Sequence, residues 1–279
     1  MTPLYIHWNI NPELINVFGI SVRYYGLLFA GGLLLCNATL AWIFKREKIP
    51  AQHLQVLFIY GVVSIFAGAR LGHCLFYEPA YYFQHPLEII LPIQVIGGSY
   101  KFTGYQGLAS HGGTIGLIIA TILYSRKTKE PIIRTIDIVA IVAPLGACCI
   151  RLANLMNSEI IGIPTTLPWA FIFERVDQLP RHPAQLYEAV VYILIFCLVF
   201  FLYKSGRMRL NTGKMFGTSI ALIFTARFLI EFVKEKQVAF EDQMKLDMGQ
   251  LLSIPMILLA IGIIVYGRKK ERLGGSIQN

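Results

Sequence analysis

The sequence predicts an all-α integral membrane protein that crosses the bilayer about seven times, and three observations support this fold class. Apolar residues make up 55% of the 279 residues and charged residues only 15%, a balance unlike that of soluble domains. Apolar stretches of about 20 residues, the length that a helix needs to cross a bilayer, recur along the chain. Their connections are short and contain no Gly/Ser-rich or Pro-rich linker, so we expect a single polytopic domain over residues 1–279.

The spans are predicted from the apolar stretches, six of which have the full length while the seventh is slightly shorter. They are residues 24–44, 54–77, 107–125, 135–157, 184–203, 215–233 and 247–267, of which 215–233 is the shorter one. The segment 86–98 is too short to span and contains two prolines. We place it in the outer interface, within an arm of about residues 78–106. Residues 158–183 are expected to form a second region outside the membrane, the head.

The orientation follows from the basic residues in the connections. One set of alternate connections contains fifteen Lys and Arg residues and the other contains seven. Because Lys and Arg concentrate in cytoplasmic connections, we assign the richer set to the cytoplasm. The N-terminus is then expected outside and the C-terminus inside.

Three arginines remain within the predicted spans, and they are Arg70, Arg151 and Arg227. An arginine at the centre of a membrane helix costs roughly 2.5–3.5 kcal/mol on translocon scales, so each indicates a functional site. With the orientation above, all three lie in the outer half of the membrane. Gly68 and Gly72 flank Arg70 with a small-xxx-small spacing that lets neighbouring helices approach closely.

Other polar residues gather at the same predicted depth. His111 lies four residues into the third span from its outer end. Arg151 and Asn154 are three residues apart, so they share one helix face, and the same holds for Arg227 and Glu231, four apart. The sequence therefore predicts a polar pocket open to the outer leaflet.

Each of these residues also has a structural interpretation. Arg227 with Glu231 is alternatively a buried ion pair that holds two helices together. Arg70 is alternatively a cation satisfied by backbone carbonyls, and His111 a hydrogen-bonded histidine at a helix interface. Asp137, at the start of the fourth span, is interpreted as a carboxylate favoured by the dipole of its own helix.

The composition argues against a metal, a cofactor or a nucleic-acid partner. All five cysteines fall inside apolar segments, and the histidines show no metal-ligand spacing. The basic residues lie in short clusters between apolar runs rather than along one helix face. We therefore expect no metal, no organic cofactor and no nucleic acid.

The predicted pocket suits a phosphate. Guanidinium groups bind phosphate oxygens in a bidentate manner, and more strongly where water is scarce, so an anionic phospholipid is the expected substrate. A histidine accepts a proton near neutral pH, which makes transfer chemistry at His111 feasible. A serine hydrolase is disfavoured, because no GxSxG motif is present and Ser110 directly adjoins His111.

Five segments together resemble the bacterial prolipoprotein diacylglyceryl transferases. They are GARLGHCLFYEP (68–79), GYQGLASHGGTIG (104–116), RLANLMNSEIIGIPT (151–165), RHPAQLYEA (181–189) and RFLIEFVKEKQ (227–237). The match runs in order through nearly the whole chain, and five motifs make it far more specific than one.

The resemblance implies transfer of a diacylglyceryl group from phosphatidylglycerol to the lipobox cysteine of a prolipoprotein. A thioether forms and glycerol phosphate is released. The partners implied are phosphatidylglycerol, the prolipoprotein signal peptide with its lipobox cysteine, and membrane lipid. The implied location is the bacterial inner membrane, with the active site toward the periplasm.

The resemblance also implies roles for individual residues. The signature that binds phosphatidylglycerol contains Arg151, Asn154, Glu159 and Gly162, and the residues facing it are Arg227 and Glu231. Arg151 and Arg227 are candidates to hold the charge of the leaving phosphate. His111 is the general base or a donor that orients substrate. Tyr25 is a hydrogen-bonding wall, and Arg70 is a further candidate for substrate binding.

The chain departs from the family pattern at several positions. Ala153 stands where the family usually has Gly, and Ala109 with Ser110 replace a usual Ser-Phe. Lys234 occupies a position often held by Arg, which weakens the case for a bidentate contact there. Ile223 stands where Tyr is common, so we assign no catalytic hydroxyl to that turn.

Two other classes of function compete with this interpretation. A lipid or anion transporter is disfavoured, because the sequence has no internal repeat and its intramembrane charges are biased outward. A purely structural membrane protein leaves the clustering of Arg151, Arg227 and His111 unexplained.

Overall fold

The computed structural model describes residues 4–17, 20–96, 98–102, 107–236 and 244–275. Its helices are α1 (Tyr24–Arg46), α2 (Ala51–Phe76), α3 (Pro79–Gln84), α4 (Pro86–Ile90), α5 (Ser110–Thr128), α6 (Ile132–Asn157), α7 (Ala184–Lys204), α8 (Lys214–Glu231) and α9 (Met248–Gly275). Its strands are β1 (Ile6–Trp8), β2 (Glu13–Val17), β3 (Ile20–Arg23), β4 (Ile93–Ile96), β5 (Ser99–Phe102), β6 (Phe171–Phe173) and β7 (Pro180–Arg181).

The helices support the prediction of a mostly α-helical integral membrane protein. Among the described residues, five helices are long and apolar enough to cross a membrane, namely α1, α2, α6, α7 and residues 248–269 of α9. The other two predicted spans are also helical, as α5 and α8, but their polar content is higher. α8 carries Lys214, Arg227 and Glu231 within 18 residues, while α5 contains His111 in its first turn and basic residues in its last.

The described chain divides into two compact units, residues 1–43 with 136–279 and residues 44–135. The expectation of a single polytopic domain stays a prediction.

The unit of residues 44–135 is built on the pairing of α2 with α5, which approach closely at glycines. A Cβ atom added at Gly72 would lie 2.8 Å from Cα of Gly112, and one at Gly68 would overlap the carbonyl oxygen of Gly112. The small-xxx-small spacing of Gly68 and Gly72 predicted a close helix contact, and the structure forms that contact between α2 and α5.

The predicted arm, residues 78–106, contains two short helices and a β-hairpin. α3 and α4 each begin with a proline at the first helical position, where a missing N–H costs nothing. β4 and β5 follow as an antiparallel pair. Residues 97 and 103–106 of the arm lie outside the described residues.

The predicted head, residues 158–183, forms a small sheet together with the start of the chain. β1 runs parallel to β6, and β6 pairs antiparallel with β7. A buried cluster in the head consists of Leu155, Ile161, Phe171 and Phe173. Trp8 packs against this cluster and donates a hydrogen bond to the carbonyl of Leu155 at 3.0 Å.

The all-α prediction missed these strands and the β2–β3 hairpin. Strands of two to five residues are too short for an alternating pattern to be visible.

The interpretation of Asp137 as a carboxylate serving its own helix is wrong. Asp137 lies inside α6, and its carboxylate accepts hydrogen bonds from the backbone N–H groups of Thr212, Gly213 and Phe216 at 3.1, 2.9 and 3.0 Å. These groups belong to the start of α8, whose own N-cap residue, Gly213, has no side chain to satisfy them. Asp137 therefore caps α8 from a neighbouring helix.

Replacing Asp137 by alanine is expected to destabilise the protein by about 1–3 kcal/mol, because three N–H groups at the start of α8, one buried and two partly buried, lose their acceptor. The measurement is the thermal unfolding midpoint of the purified protein in detergent. Asp137→Asn retains one acceptor oxygen and should lose less. An unchanged midpoint for Asp137→Ala would contradict the capping role.

Candidate active site

The predicted signature residues meet where α6 ends and α7 begins. Arg151, in the last two turns of α6, forms an ion pair with Glu188 of α7, with 2.7 Å between Nε and Oε2. Arg151 Nη1 also donates to the side-chain oxygen of Asn154 at 3.1 Å. Asn154 in turn donates to Glu159 at 3.1 Å, and Asn157 donates to the other oxygen of Glu159 at 2.9 Å. The signature is thus one connected hydrogen-bond network that orients the Arg151 guanidinium.

Glu188 is the centre of this site, although the sequence analysis did not assign it a role. Its side chain is 0% exposed. One carboxylate oxygen pairs with Arg151, and the other lies 3.2 Å from Nζ of Lys234 and accepts the hydroxyl of Tyr192 at 3.4 Å. A buried carboxylate is stable only when its charge is compensated, and here two cations compensate it. The rule that singled out the three arginines applies equally to Glu188, which lies inside a predicted span.

Lys234 links Glu188 to the end of α8. Its Nζ atom lies 3.1 Å from Oε2 of Glu231, in addition to its contact with Glu188. Within the described part of the chain, Glu231 therefore pairs with Lys234, and an ion pair with Arg227 is not formed. The alternative interpretation of Arg227 and Glu231 as a mutual ion pair is not supported. A compact ammonium suits a position between two carboxylates, which accounts for lysine here.

Arg227 lies on α8 one helical turn before Glu231, which Lys234 links to Glu188. The Nε atom of Arg227 is buried and has no hydrogen-bond partner among the described residues. Tyr25 is the second residue of α1. The structure therefore places Arg227 one helical turn from the Glu231–Lys234 ion pair, with its Nε–H left to bind a further group.

Gly162 shapes the site through its backbone. It forms an antiparallel bridge with Lys234, its N–H donates to the carbonyl of His182 at 2.9 Å, and its carbonyl accepts from Arg181 at 3.1 Å. A Cβ atom at this position would lie 2.5 Å from the carbonyl oxygen of Val233 and from Cβ of His182. Only glycine lets the head approach the chain that carries Lys234.

A second ion-pair cluster fixes the head, and sequence reasoning did not find it. The buried guanidinium of Arg181 donates to Asp177 at 2.6 and 2.9 Å, to Glu235 at 2.9 Å, and to the carbonyl of Gly162. The hydrogen bond from Arg181 holds the pKa of Asp177 below its ordinary value. The bond to Asp177 likewise raises the pKa of Arg181. Arg181 thereby ties the head to the segment that follows α8.

The remaining predicted residues, Arg70 and His111, belong to the unit of residues 44–135. Arg70 donates to the backbone carbonyls of Glu88, of Ile89 at 3.3 Å and of Gly107 at 3.4 Å. Its guanidinium also stacks over the ring of Tyr82, 4.8 Å from the centroid. These contacts support the alternative interpretation of Arg70 as a cation satisfied by carbonyls, here those of the arm.

An apolar cavity of about 570 Å³ lies beside Arg70. It is lined by Phe66, Ala67, Arg70, Leu71, Ile89, Ile90 and Leu108. His111 is exposed in the first turn of α5, which begins at Ser110. Among the described residues, no group of three or more His, Cys, Asp or Glu side chains could hold a metal ion.

Gly162→Ala is expected to lower the thermal unfolding midpoint by about 5 °C, because the added methyl group overlaps backbone atoms that cannot move freely. Gly262→Ala is the matched control, since a Cβ atom there would have no neighbour within 4 Å. The midpoints of both purified variants are measured in the same detergent. Equal midpoints for the two variants would show that Gly162 is not required by packing.

The pairing of Asp177 with Arg181 predicts a pH dependence of stability. Because the pKa of Asp177 is lowered in the folded state, its contribution is fully present above the unfolded value of about 3.9 and is lost as the pH falls through the folded value. Asp177→Asn should therefore unfold at a lower temperature than the wild type at pH 7. The difference between the two midpoints should shrink below about pH 4. A difference that stays constant down to pH 3 would argue against this linkage.

The family model described as prolipoprotein diacylglyceryl transferase matches residues 12–266. A phosphatidylglycerol–prolipoprotein diacylglyceryl transferase of Bacteroides fragilis is 54% identical over 96% of this chain and 98% of its own length. Enzymes of the same name from Chloroherpeton thalassium and Porphyromonas gingivalis are each 42% identical, over 98% and 96% of this chain and the same shares of their own lengths. The chain therefore belongs to the prolipoprotein diacylglyceryl transferase family.

Proposed function

We propose that this chain transfers the sn-1,2-diacylglyceryl group from phosphatidylglycerol to the lipobox cysteine thiol of a prolipoprotein. The observation that carries the proposal is the network in which Glu188, Asn154 and Glu159 hold the Arg151 guanidinium, in a member of this family. An oriented guanidinium suits a phosphodiester, which accepts bidentate hydrogen bonds. The relatives carry both substrates in their names.

The reaction proposed is a displacement at carbon. The cysteine sulfur attacks the glyceryl carbon that carries the phosphate, and a carbon–sulfur bond forms as the carbon–oxygen bond breaks. The oxygen leaves with its electron pair on glycerol phosphate, and the thiol proton passes to a base. Since charge accumulates on the leaving phosphate, fixed cations lower the barrier to its departure.

The residues around the phosphate have distinct roles in this proposal. Arg151 and Arg227 bind the phosphate and hold its developing charge, while Asn154 and Glu159 orient Arg151. Tyr25, at the start of α1, forms a wall of the pocket.

Other residues contribute to substrate binding indirectly, because they hold a neighbouring residue or segment in place. Glu231 acts by fixing Lys234, and Gly162 by bringing the head against Lys234. Arg70 contributes by holding the arm beside the apolar cavity.

His111 is proposed as the general base or as a donor that orients the substrate. Its exposed position in the first turn of α5 is compatible with either role. A thiol is a much better nucleophile as the thiolate, and a neutral imidazole can accept its proton near neutral pH.

The chain is proposed to act as one polytopic domain in the bacterial inner membrane. The seven long helices are taken as the spans, with the N-terminus outside and the C-terminus in the cytoplasm, in line with the distribution of Lys and Arg. The active site then faces the periplasm, where it meets the signal peptide of an exported prolipoprotein. The mechanism requires no metal or organic cofactor.

The experiment that tests this function is incubation of the purified protein in detergent with phosphatidylglycerol and a lipobox peptide. Release of glycerol phosphate is followed together with the peptide mass. The expected result is a diacylglyceryl mass gain on the cysteine peptide and none on a Cys→Ala peptide. No release by protein that is folded and binds the lipid would refute the transferase proposal and favour transport.

Arg151→Ala is expected to reduce transfer by at least about 100-fold per molecule of folded protein, because the leaving phosphate loses its main counter-charge. Arg151→Lys should also be impaired, since an ammonium cannot form the bidentate contact. The rate of glycerol phosphate release is measured for both variants.

Arg175→Ala is the matched control, because this arginine is exposed in the head and lies outside the network around Glu188. Its rate should equal that of the wild type. Full activity of Arg151→Ala would remove Arg151 from the site.

A further inference from the structure

We propose that His73 is a positioning residue that holds the backbone before α5 and so fixes the place of His111. The inference deepens the proposed function and rests on it, because His111 is the proposed general base or orienting donor. His73 lies near the end of α2, in the segment GARLGH, and the sequence analysis assigned it no role.

The backbone on both sides of His111 is held by α2. On the N-terminal side, the N–H of Ala109 donates to the carbonyl of Ala69 at 2.9 Å. On the C-terminal side, Gly72 and Gly112 are in backbone contact, since a Cβ atom at Gly72 would lie only 2.8 Å from Cα of Gly112. His111 itself is exposed, so these backbone contacts do most to set its place.

A third contact holds Gly107, four residues before His111. Gly107 has a φ of 75°, a conformation that glycine adopts without strain, and glycine is also the residue with the greatest backbone freedom. A Cβ atom at Gly107 would overlap the imidazole ring of His73, so the ring lies directly against this backbone. Arg70 also donates to the carbonyl of Gly107 at 3.4 Å. Two side chains of α2 therefore restrain the freest point of the segment that leads to His111.

The ring of His73 is itself held in place. It stacks on the ring of Tyr77, with the centroids 5.6 Å apart and 15° between the planes, and it meets the ring of Tyr82 edge-on at 6.0 Å. Its Nε2 atom lies 3.8 Å from Oε1 of Glu78, and the side chain is only 17% exposed. A ring fixed by these three neighbours can act as a rigid stop for Gly107.

Loss of this ring should affect the reaction through the place of His111. Without it, Gly107 has room to change its backbone angles, and the segment up to Ala109 can shift together with the start of α5. A displacement of about 1 Å in a group that takes part in the chemistry costs on the order of 100-fold in rate. A small movement of this segment is therefore enough to impair transfer.

His73→Ala is expected to lower kcat at least about tenfold per molecule of folded protein, because His111 no longer keeps one position. The KM for phosphatidylglycerol should stay within about twofold, since in the proposed function Arg151 and Arg227 bind the phosphate. Release of glycerol phosphate is measured with the lipid varied, and thermal midpoints report folding. An unchanged kcat would overturn the proposal.

Two further variants separate packing from other effects of the substitution. His73→Phe keeps a ring against Gly107 without a titratable group, so it should recover most of the kcat that His73→Ala loses. His85→Ala is the matched control, because this histidine of the same unit stacks on Tyr81 and hydrogen-bonds its carbonyl. Its kcat should equal that of the wild type. Equal losses in His73→Phe and His73→Ala would overturn the positioning role.

A double-mutant cycle tests whether His73 acts through His111. In the His111→Gln background the imidazole is already lost, so His73→Ala should change the remaining kcat by less than about twofold. A further tenfold loss in that background would overturn the proposal. So would a His111→Gln enzyme with the kcat of the wild type, since no chemistry would then depend on the place of His111.

Amide hydrogen exchange gives a test that does not depend on turnover. In the purified full-length protein, peptides that cover residues 107–113 should exchange at least about tenfold faster in His73→Ala than in the wild type or His85→Ala. Equal exchange in all three proteins would refute the restraint by His73. If the wild type transfers nothing, the proposed function fails separately, and the exchange comparison still decides whether His73 holds this segment.

Discussion

The site depends on a carboxylate that is fully buried and shared by two cations. Arg151 lies on one oxygen of Glu188 and Lys234 near the other, and these two cations offset the cost of burying the carboxylate. Because these three residues come from α7, from α6 and from the segment after α8, satisfying one charge brings three parts of the chain together. The cost of burying Glu188 is offset only when all three are in place, so the pairing also fixes where Arg151 presents its remaining donors.

Acidic residues hold α8 at both ends, and this places Arg227. Asp137 caps the N-terminal end from α6, while Glu231 at the C-terminal end pairs with Lys234, which Glu188 also holds. The backbone bridge between Gly162 and Lys234 then brings the head to the same point. Gly162, Asp137 and Glu188 therefore all help to place the same group of cations. These cations are Arg151, Arg227 and Lys234.

The sequence was sufficient to locate the long helices and Arg151 with its helix-face partner Asn154, since both follow from local periodicity and from the cost of charge in lipid. It was insufficient for β1 and β6, which pair across about 165 residues with three residues each. Glu188 was missed because the charge rule was applied to arginines alone. The sequence left Arg70 with two interpretations, substrate binding or a cation satisfied by carbonyls, because the path of the arm that supplies the carbonyls of Glu88 and Ile89 is not visible in the sequence.

The most direct test of the central role of Glu188 is a double-mutant cycle on stability, with Glu188→Gln, Lys234→Met and the double variant compared by thermal unfolding. Each single variant leaves a buried charge uncompensated, so the account predicts that both lower the midpoint strongly. Removing both charges should lower the midpoint by clearly less than the two losses combined. Additive losses, or a wild-type midpoint for Glu188→Gln, would contradict the claim that this carboxylate organises the site.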